Sequence, residues 1–223
     1  AHLRRVFRYR GALPVIPNPI PLDSAAQFKA LRANKPHAPD APVIADVSGW
    51  GRIKNAATLI RAFRRLRQKW PGARLLLFGN GLEEGGPAWT WTARHGSIPP
   101  GLTFCGRQQA GPLMERLARE VDLFVHPALT EAHCMALCEA ASMGLPIIAS
   151  RAGGNAWTLD PLPARWVHRI RDPQAWADAM DQTLADPLPP PDPDVRRAWE
   201  NRFAPAAVAG ELETWYRRLA ASG

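Results

Sequence analysis

The stretch Leu123-Phe-Val-His-Pro-Ala-Leu-Thr-Glu-Ala-His-Cys-Met-Ala-Leu-Cys-Glu-Ala-Ala-Ser-Met-Gly-Leu-Pro-Ile-Ile-Ala-Ser150 decides the fold. Its first five residues, 123–127, read as a strand. Residues 132–143 read as a helix that stops at Gly144, and 146–150 read as a second strand. A strand, a helix and a strand on short connections make a parallel crossover unit. Two carboxylates, Glu131 and Glu139, stand in the middle with seven residues between them. If the helix starts near Ala132, eight residues rise ~12 Å and turn ~800°, so the second acid lies roughly 80° around from the first. One helix would then hold an acid at its mouth and another two turns down. The unpaired N–H groups of a helix start favour anions. A ligand with a diphosphate at its centre and hydroxyl-bearing rings at both ends suits that layout.

The same alternation extends in both directions. Val43 to Val47 is β-rich. Asn55 to Trp70 is helical, because Ala56, Leu59, Ile60, Phe63, Leu66 and Trp70 recur at three- and four-residue spacing, and Pro71-Gly72 ends it. Ala73 to Phe78 and Leu102 to Cys105 are further strands. Pro112 to Glu120 is a helix with proline near its first turn. Arg165 to His168 is a sixth strand, Pro173 to Ala185 a helix, and Val208 to Ala220 an amphipathic closing helix. The first 40 residues are proline-rich and irregular, and Val15-Ile-Pro-Asn-Pro-Ile-Pro21 excludes a helix or a central strand. Leu188 to Pro193 is a surface break. The expected fold class is α/β: a single Rossmann-like, doubly wound parallel sheet of about six strands in residues 41–223, preceded by a hinge or linker in residues 1–40.

Composition narrows the function classes. The chain has 223 residues, 46% hydrophobic and 22% charged, ordinary for a globular protein with a substantial core. No apolar run approaches the ~18 residues of a membrane span. The start, Ala1 to Arg10, lacks the apolar core of a signal peptide. Three cysteines without framework spacing fit reduced thiols in a cytoplasmic protein. A net charge of +8 permits attraction to nucleic acid, an anionic membrane or phosphorylated ligands and selects none of them.

Ligands of such sheets sit at the carboxyl ends of the strands. Four signals fall there: Gly49-Trp-Gly-Arg-Ile-Lys-Asn55, Gly79-Asn-Gly81, Gly106-Arg107 and the Glu131 loop. Arg52 and Lys54 precede a helix, where cations oppose the helix dipole unless an anion lies between; the other reading is two solvated charges. Gly79-Asn-Gly81 is half of a dinucleotide fingerprint, but position 84 is Glu84, which argues for a tight turn. His126, His133, Cys134 and Cys138 invite a zinc reading, yet they form no Cys-x-x-Cys or histidine pair at ligand spacing, and buried thiols are the better reading. Asp192 and Asp194 lie in a proline-rich loop far from the strand ends. Arg61, Arg64, Arg65, Arg67 and Lys69 form a solvated helix face without interleaved exposed aromatics, so no nucleic acid is expected. No Gly-x-Ser-x-Gly elbow is present. Glu139 sits in the apolar run Leu137 to Ala141, where a carboxylate needs a partner.

These residues resemble a family. Ser48-Gly-Trp-Gly-Arg-Ile-Lys-Asn-Ala-Ala-Thr-Leu-Ile-Arg-Ala-Phe63 resembles the opening of the donor domain in family 4 (group 1) glycosyltransferases of the GT-B fold. Pro71 to Gly81 resembles their second strand and turn, and Asp122 to Gly154 their Glu-x7-Glu signature with its flanking strands. Val15 to Asn18 is similar to the hinge before that domain. The resemblance implies the donor-binding C-terminal half of a retaining, metal-independent hexosyltransferase that moves a sugar from a nucleotide sugar to a glycan or lipid-linked acceptor. It implies Glu131 as the catalytic-site acid on the donor sugar and Glu139 as the acceptor of ribose hydroxyls. It implies Arg52, Lys54 and the backbone of Cys134, Met135 and Ala136 on the diphosphate. The nucleobase region would be Phe104, Cys105, Gly106 and Arg107, with Gly51, Gly79 and His133 completing the donor site. No cofactor or metal is expected. Cys134 stands where the family often has glycine, and Arg52 is nearer Lys54 than the family's usual arginine. The acceptor domain is expected to precede this chain, which alone would be inactive. A cytoplasmic site is implied, with contact to the inner face of an anionic membrane through the full-length protein. A nucleotide-sugar epimerase of the same fold and a non-catalytic interaction module are the alternatives.

Overall fold

The computed structural model describes residues 15–36 and 38–221. Its centre is one parallel sheet of six strands: β1 Val43–Gly49, β2 Arg74–Asn80, β3 Leu102–Gly106, β4 Leu123–His126, β5 Ile147–Ser150 and β6 Arg165–Val167, in the order β3-β2-β1-β4-β5-β6. β1 pairs with β2 from Val43–Arg74 to Gly49–Asn80, and with β4 at Ile44–Leu123 and Ala45–Phe124. Strand order therefore reverses between β1 and β4, and the carboxyl ends of these two strands flank a topological switch point.

Both faces of the sheet are covered, as parallel strands require. All four residues of β4 and of β5 are buried. Alternation along the strands divides the core in two. Ala45, Phe78, Phe124 and Ala149 face Leu137, Ala140, Trp199 and Phe203 on one side. Ile44, Leu75, Leu77, Val125 and Ile148 face Leu59, Phe63, Trp176 and Met180 on the other. The helices are α1 Leu22–Ala33, α2 Ala56–Leu66, α3 Pro87–Arg94, α4 Ala110–Glu120, α5 Met135–Ser142, α6 Asn155–Leu159, α7 Pro173–Ala185, α8 Pro193–Phe203 and α9 Pro205–Ala221. α2 buries its apolar stripe completely. Its basic face is partly tied down: Arg64 donates to the carbonyls of Thr92, His95 and Ser97, Arg67 to that of Ala73, and Lys69 pairs with Asp181.

Four helices fall where none was expected. Residues 22–33 are helical and pack on α4 and α5 rather than forming an irregular linker. The entry is anchored there: Lys35 pairs with Asp122 at 2.5 Å, the Arg32 guanidinium donates to the Val121 carbonyl, and Ile20 is buried. α3 and α6 are short insertions. α8 begins at Pro193, within the supposed break, because Asp192 caps it by accepting from the amides of Asp194 (2.8 Å) and Val195 (3.3 Å). Proline at the first helical position after an aspartate starts a helix as readily as it ends one. The extended reading of 15–21 agrees with the structure; residues 1–14, including the basic start, lie outside the described residues.

Candidate functional site

The loop after β1 and the loop after β4 meet at the switch point. Asn55 joins them. It has a left-handed backbone (φ 60°), which asparagine tolerates. Its side-chain amide donates to the carbonyls of Pro127 (3.0 Å) and Ile170 (2.7 Å), and its carbonyl oxygen accepts from the Thr58 hydroxyl (2.6 Å). The Leu129 amide donates to the Ile53 carbonyl at 2.7 Å. The loops after β1, β4 and β6 are thus fixed to one another just where Lys54 and Glu131 project.

Glu131 does not stand on a helix. α5 starts at Met135, three residues later than expected, and the turn-counting that put both acids on one helix does not apply. The reason is a contact with a later loop. The Glu131 carbonyl accepts from the Gly154 amide at 2.6 Å, so it is committed outside the helix. The close approach depends on two glycines: an added Cβ on Gly153 would lie 2.1 Å from the Glu131 carbonyl oxygen, and one on Gly154 only 1.8 Å from that of Ala132. Glu139 lies within α5 as expected.

Lys54 Nζ pairs with Glu131 Oε1, so the structure brings these two together. His126 Nε2 stands 3.2 Å from the same oxygen. Among the described residues, Oε2 has no partner and is the acceptor open to a ligand. His126 is fully buried, with the Cys134 thiol 3.4 Å from Nε2 and Asp46 Oδ1 3.5 Å from Nδ1. That last spacing is long for a hydrogen bond but close for an ion pair. Asp46, also buried, has its other oxygen engaged by the Ser48 hydroxyl at 2.6 Å. Burial works against a charged His126, but Asp46, Cys134 and Glu131 outweigh it and hold the ring well above its ordinary pKa. The His126 contact, with Lys54, overcomes burial at Glu131 and draws its carboxyl down to about 2. Glu131 is therefore an oriented carboxylate between two cations.

Glu139 contrasts with it. It is half-buried, its carboxylate has no hydrogen-bonding or charged partner among the described residues, and burial raises its pKa. No side chain caps α5, so the amides of its first turn, Met135 and Ala136 among them, keep the unpaired donors of a helix start.

The other anticipated residues are more dispersed. Arg52 is exposed and lines a pocket of about 330 Å³ with Trp50, Gly51, Asn55, Arg61 and Arg171. Lys54, Glu131 and Glu139 do not line that pocket. His133 turns the other way: it stands 3.5 Å from Cys138 Sγ and from the Thr158 hydroxyl, against Trp157 and Phe203. Phe104 and Cys105 are half-buried and Gly106 is buried at the end of β3, where the Gly106 amide donates to the Leu82 carbonyl at 2.9 Å. Arg107 is exposed. Gly79 lies near the end of β2, opposite Ser48 of β1; a Cβ there would lie 2.4 Å from the Ser48 carbonyl oxygen. Sequence reasoning missed Asp46, whose signal was an acid inside the apolar strand Val43-Ile-Ala-Asp-Val47, and the linking role of Asn55.

Residues 41–186 match the family described as glycosyl transferases group 1. The chain is 30% identical over 152 residues to the D-inositol 3-phosphate glycosyltransferase of Corynebacterium kroppenstedtii, covering 66% of this chain and 33% of that protein. It is 33% identical over 106 residues to the GDP-mannose-dependent alpha-mannosyltransferase of Mycobacterium tuberculosis, covering 44% of this chain and 26% of that one. Among solved structures, sucrose-phosphate synthase from Thermosynechococcus elongatus superposes with a TM-score of 0.73 at 25% identity, covering 100% of this chain and 56% of its own. HepE of Anabaena, in complex with UDP and glucose, gives 0.64 at 19% identity, a likeness of fold, with 94% and 55% covered. The chain spans about a third of the length of the D-inositol 3-phosphate glycosyltransferases it matches and about half that of these solved chains. It belongs to the group 1 glycosyl transferases, with the fold of the C-terminal half of a GT-B enzyme.

Proposed function

We propose that this chain binds the nucleotide-sugar donor of a retaining hexosyltransferase, and that a preceding domain of the full-length protein binds the acceptor, a glycan or a lipid-linked acceptor. One observation carries the reading: Lys54 and Glu131 pair at the uncapped start of α5, and α5 itself holds a half-buried, unpartnered Glu139.

The chemistry follows from those groups. The ammonium of Lys54 has three donors, enough to keep Glu131 and still reach a phosphate. With the free amides of Met135 and Ala136 it stabilises the diphosphate as charge develops on the leaving nucleotide, so that transfer needs no metal. Glu139 accepts from ribose hydroxyls, which supply the partners its buried carboxylate lacks. Glu131, held by His126 and Lys54 through Oε1, offers Oε2 to hydroxyls of the donor sugar near the reacting carbon. Arg52 acts at the edge of this site, and the backbone of Phe104 to Arg107 meets the base. Two relatives support a nucleotide sugar as ligand: the mannosyltransferase is GDP-mannose-dependent by name, and HepE holds UDP-glucose. A cytoplasmic location, peripheral to the membrane through the full-length protein, accompanies this reading; no described helix is long and apolar enough to cross a membrane.

Calorimetry with UDP, GDP and ADP, without metal, tests it. Selective binding of one nucleotide that weakens in Glu139→Ala is expected. Equal binding by the parent and the variant would refute the ribose assignment.

A further inference from the structure

We infer that His126, Glu131 and Cys134 form a binding site for a thiophilic divalent cation of the Zn2+ or Co2+ class, which competes with Lys54 for Glu131.

Geometry is the first argument. The three donor atoms lie within 4.8 Å of one another. His126 Nε2 is 3.2 Å from Glu131 Oε1 and 3.4 Å from Cys134 Sγ. Zinc bonds of about 2.0–2.3 Å at tetrahedral angles give ligand-to-ligand edges of roughly 3.4–3.6 Å. The two edges at His126 therefore need to open by only a few tenths of an ångström to admit an ion, and the third, between Glu131 and Cys134, is no longer than 4.8 Å. Three protein ligands leave a fourth position for water, the composition of an open zinc site.

The second argument lies behind the histidine. Asp46 Oδ1 and His126 Nδ1 are buried, face each other at 3.5 Å, and have no hydrogen-bond partner among the described residues. A carboxylate behind a ligand imidazole is the usual outer-shell arrangement of metal sites: it fixes the proton on Nδ1 and leaves Nε2 free to bind the ion. Ser48 occupies the other oxygen of Asp46, so Oδ1 is aimed at the ring. The 3.5 Å spacing is long for a hydrogen bond, and an ion on Nε2 would tighten it by making the Nδ1 proton more acidic.

Ligand type sets the class of ion. One thiolate and one imidazole with a carboxylate favour Zn2+ or Co2+, whereas Mg2+ and Ca2+ want oxygen ligands. On binding, the Cys134 thiol proton and any proton on Nε2 pass to water. The Lys54 ammonium keeps its protons and gives up Oε1. If Lys54 and Glu131 handle the donor as proposed above, an occupied site blocks transfer. That consequence rests on the donor-site reading; metal binding itself does not.

The test uses the whole chain, reduced and metal-free, titrated with Co2+. The expected result is a thiolate-to-cobalt charge-transfer band that saturates near one equivalent and is bleached by Zn2+. Cys134→Ala removes the band. Asp46→Asn weakens binding about 10- to 100-fold, and Lys54→Met strengthens it by removing the competing cation. Cys138→Ala, at the other thiol–imidazole contact, leaves the band intact. Circular dichroism confirms that each variant is folded, and the Lys54→Met arm does not depend on disturbing a buried residue. Absence of the band, its persistence in Cys134→Ala, or its loss in folded Cys138→Ala alone would overturn the proposal. A chain that binds Co2+ but no nucleotide keeps this site and sinks the donor reading, and the converse result separates them the other way.

Discussion

Replacing Gly154 with alanine tests how Glu131 is held. An ideal Cβ there lies 1.8 Å from the Ala132 carbonyl oxygen and 2.8 Å from its carbon. Carbon and oxygen in contact need about 3.3 Å, so the 131–132 backbone must retreat by roughly 1.5 Å. That movement breaks the 2.6 Å bond from the Gly154 amide to the Glu131 carbonyl, a loss of about 1 kcal/mol. Relieving the overpacking costs about 1–3 kcal/mol more. A destabilisation of about 2–4 kcal/mol lowers Tm by roughly 4–16 °C in a chain of this size. A displacement above 1 Å at a reacting site also costs about 100-fold in turnover, which the full-length protein would report. Gly210→Ala is the control: it sits within α9 with nothing within 4 Å of its Cβ, and it should gain about 0.5–1 kcal/mol. Thermal unfolding of the parent and both variants decides the matter. A Gly154→Ala chain that melts with the parent would show that the contact between the two loops does not hold Glu131.

Three further outcomes follow from named contacts. Burial raises the Glu139 pKa, so ionising it costs stability as pH rises above the ordinary carboxylate range; Glu139→Gln should be more stable than the parent at pH 7 and equal to it in acid, yet bind nucleotide at least about tenfold more weakly. Urea unfolding at two pH values, with calorimetry, checks both halves, and a variant that is not stabilised at pH 7 would contradict the burial argument. Asn55→Ala should lose about 2–4 kcal/mol, because alanine resists φ 60° and the loop-tying hydrogen bonds are gone, while Asn55→Gly recovers the conformational part; equal losses by urea unfolding would refute the backbone argument. Asp192→Ala should cost about 1 kcal/mol through the cap of α8, read by the same measurement.

What the sequence made legible and what it hid have separate physical causes. The strands of this sheet announce themselves because both faces are covered: Leu75 to Phe78 and Leu123 to His126 are buried residue after residue, and a continuous apolar run between turn residues has few other uses. α2 was legible because one face is solvated and the other buried. α1 and α8 were not, because proline reads locally as a break, whereas Pro21 stands at the N-cap of α1 and Pro193 at the first position of α8. The residues at the mouth could be named because Lys54 and Glu131 fall directly after strands, where ligands collect. The start of α5 could not, since it is set by the amide of Gly154 taking the carbonyl of Glu131, 23 residues earlier (154 − 131), a competition that local helix rules do not contain.

The Asp46 and His126 pair shows the deeper limit. Read alone, Asp46 is an acid in the middle of a core strand, a violation that local pattern can register and cannot resolve. Its partner lies on β4, about eighty residues later, and the two meet only because β1 and β4 are neighbours with Ala45 opposite Phe124. Register and strand order are properties of the assembled sheet. A one-residue slip in that pairing would carry His126 about 3.3 Å along β1 and leave two buried ionisable groups without each other. The contact is therefore both a consequence of the topology and a constraint on it. It fixes β1 against β4 at the place where strand order reverses, and it puts a positively charged ring against Glu131. The group that pins the sheet at its switch point is also the group that orients the acid at the mouth, so a change at His126 should be felt in folding and in ligand binding together.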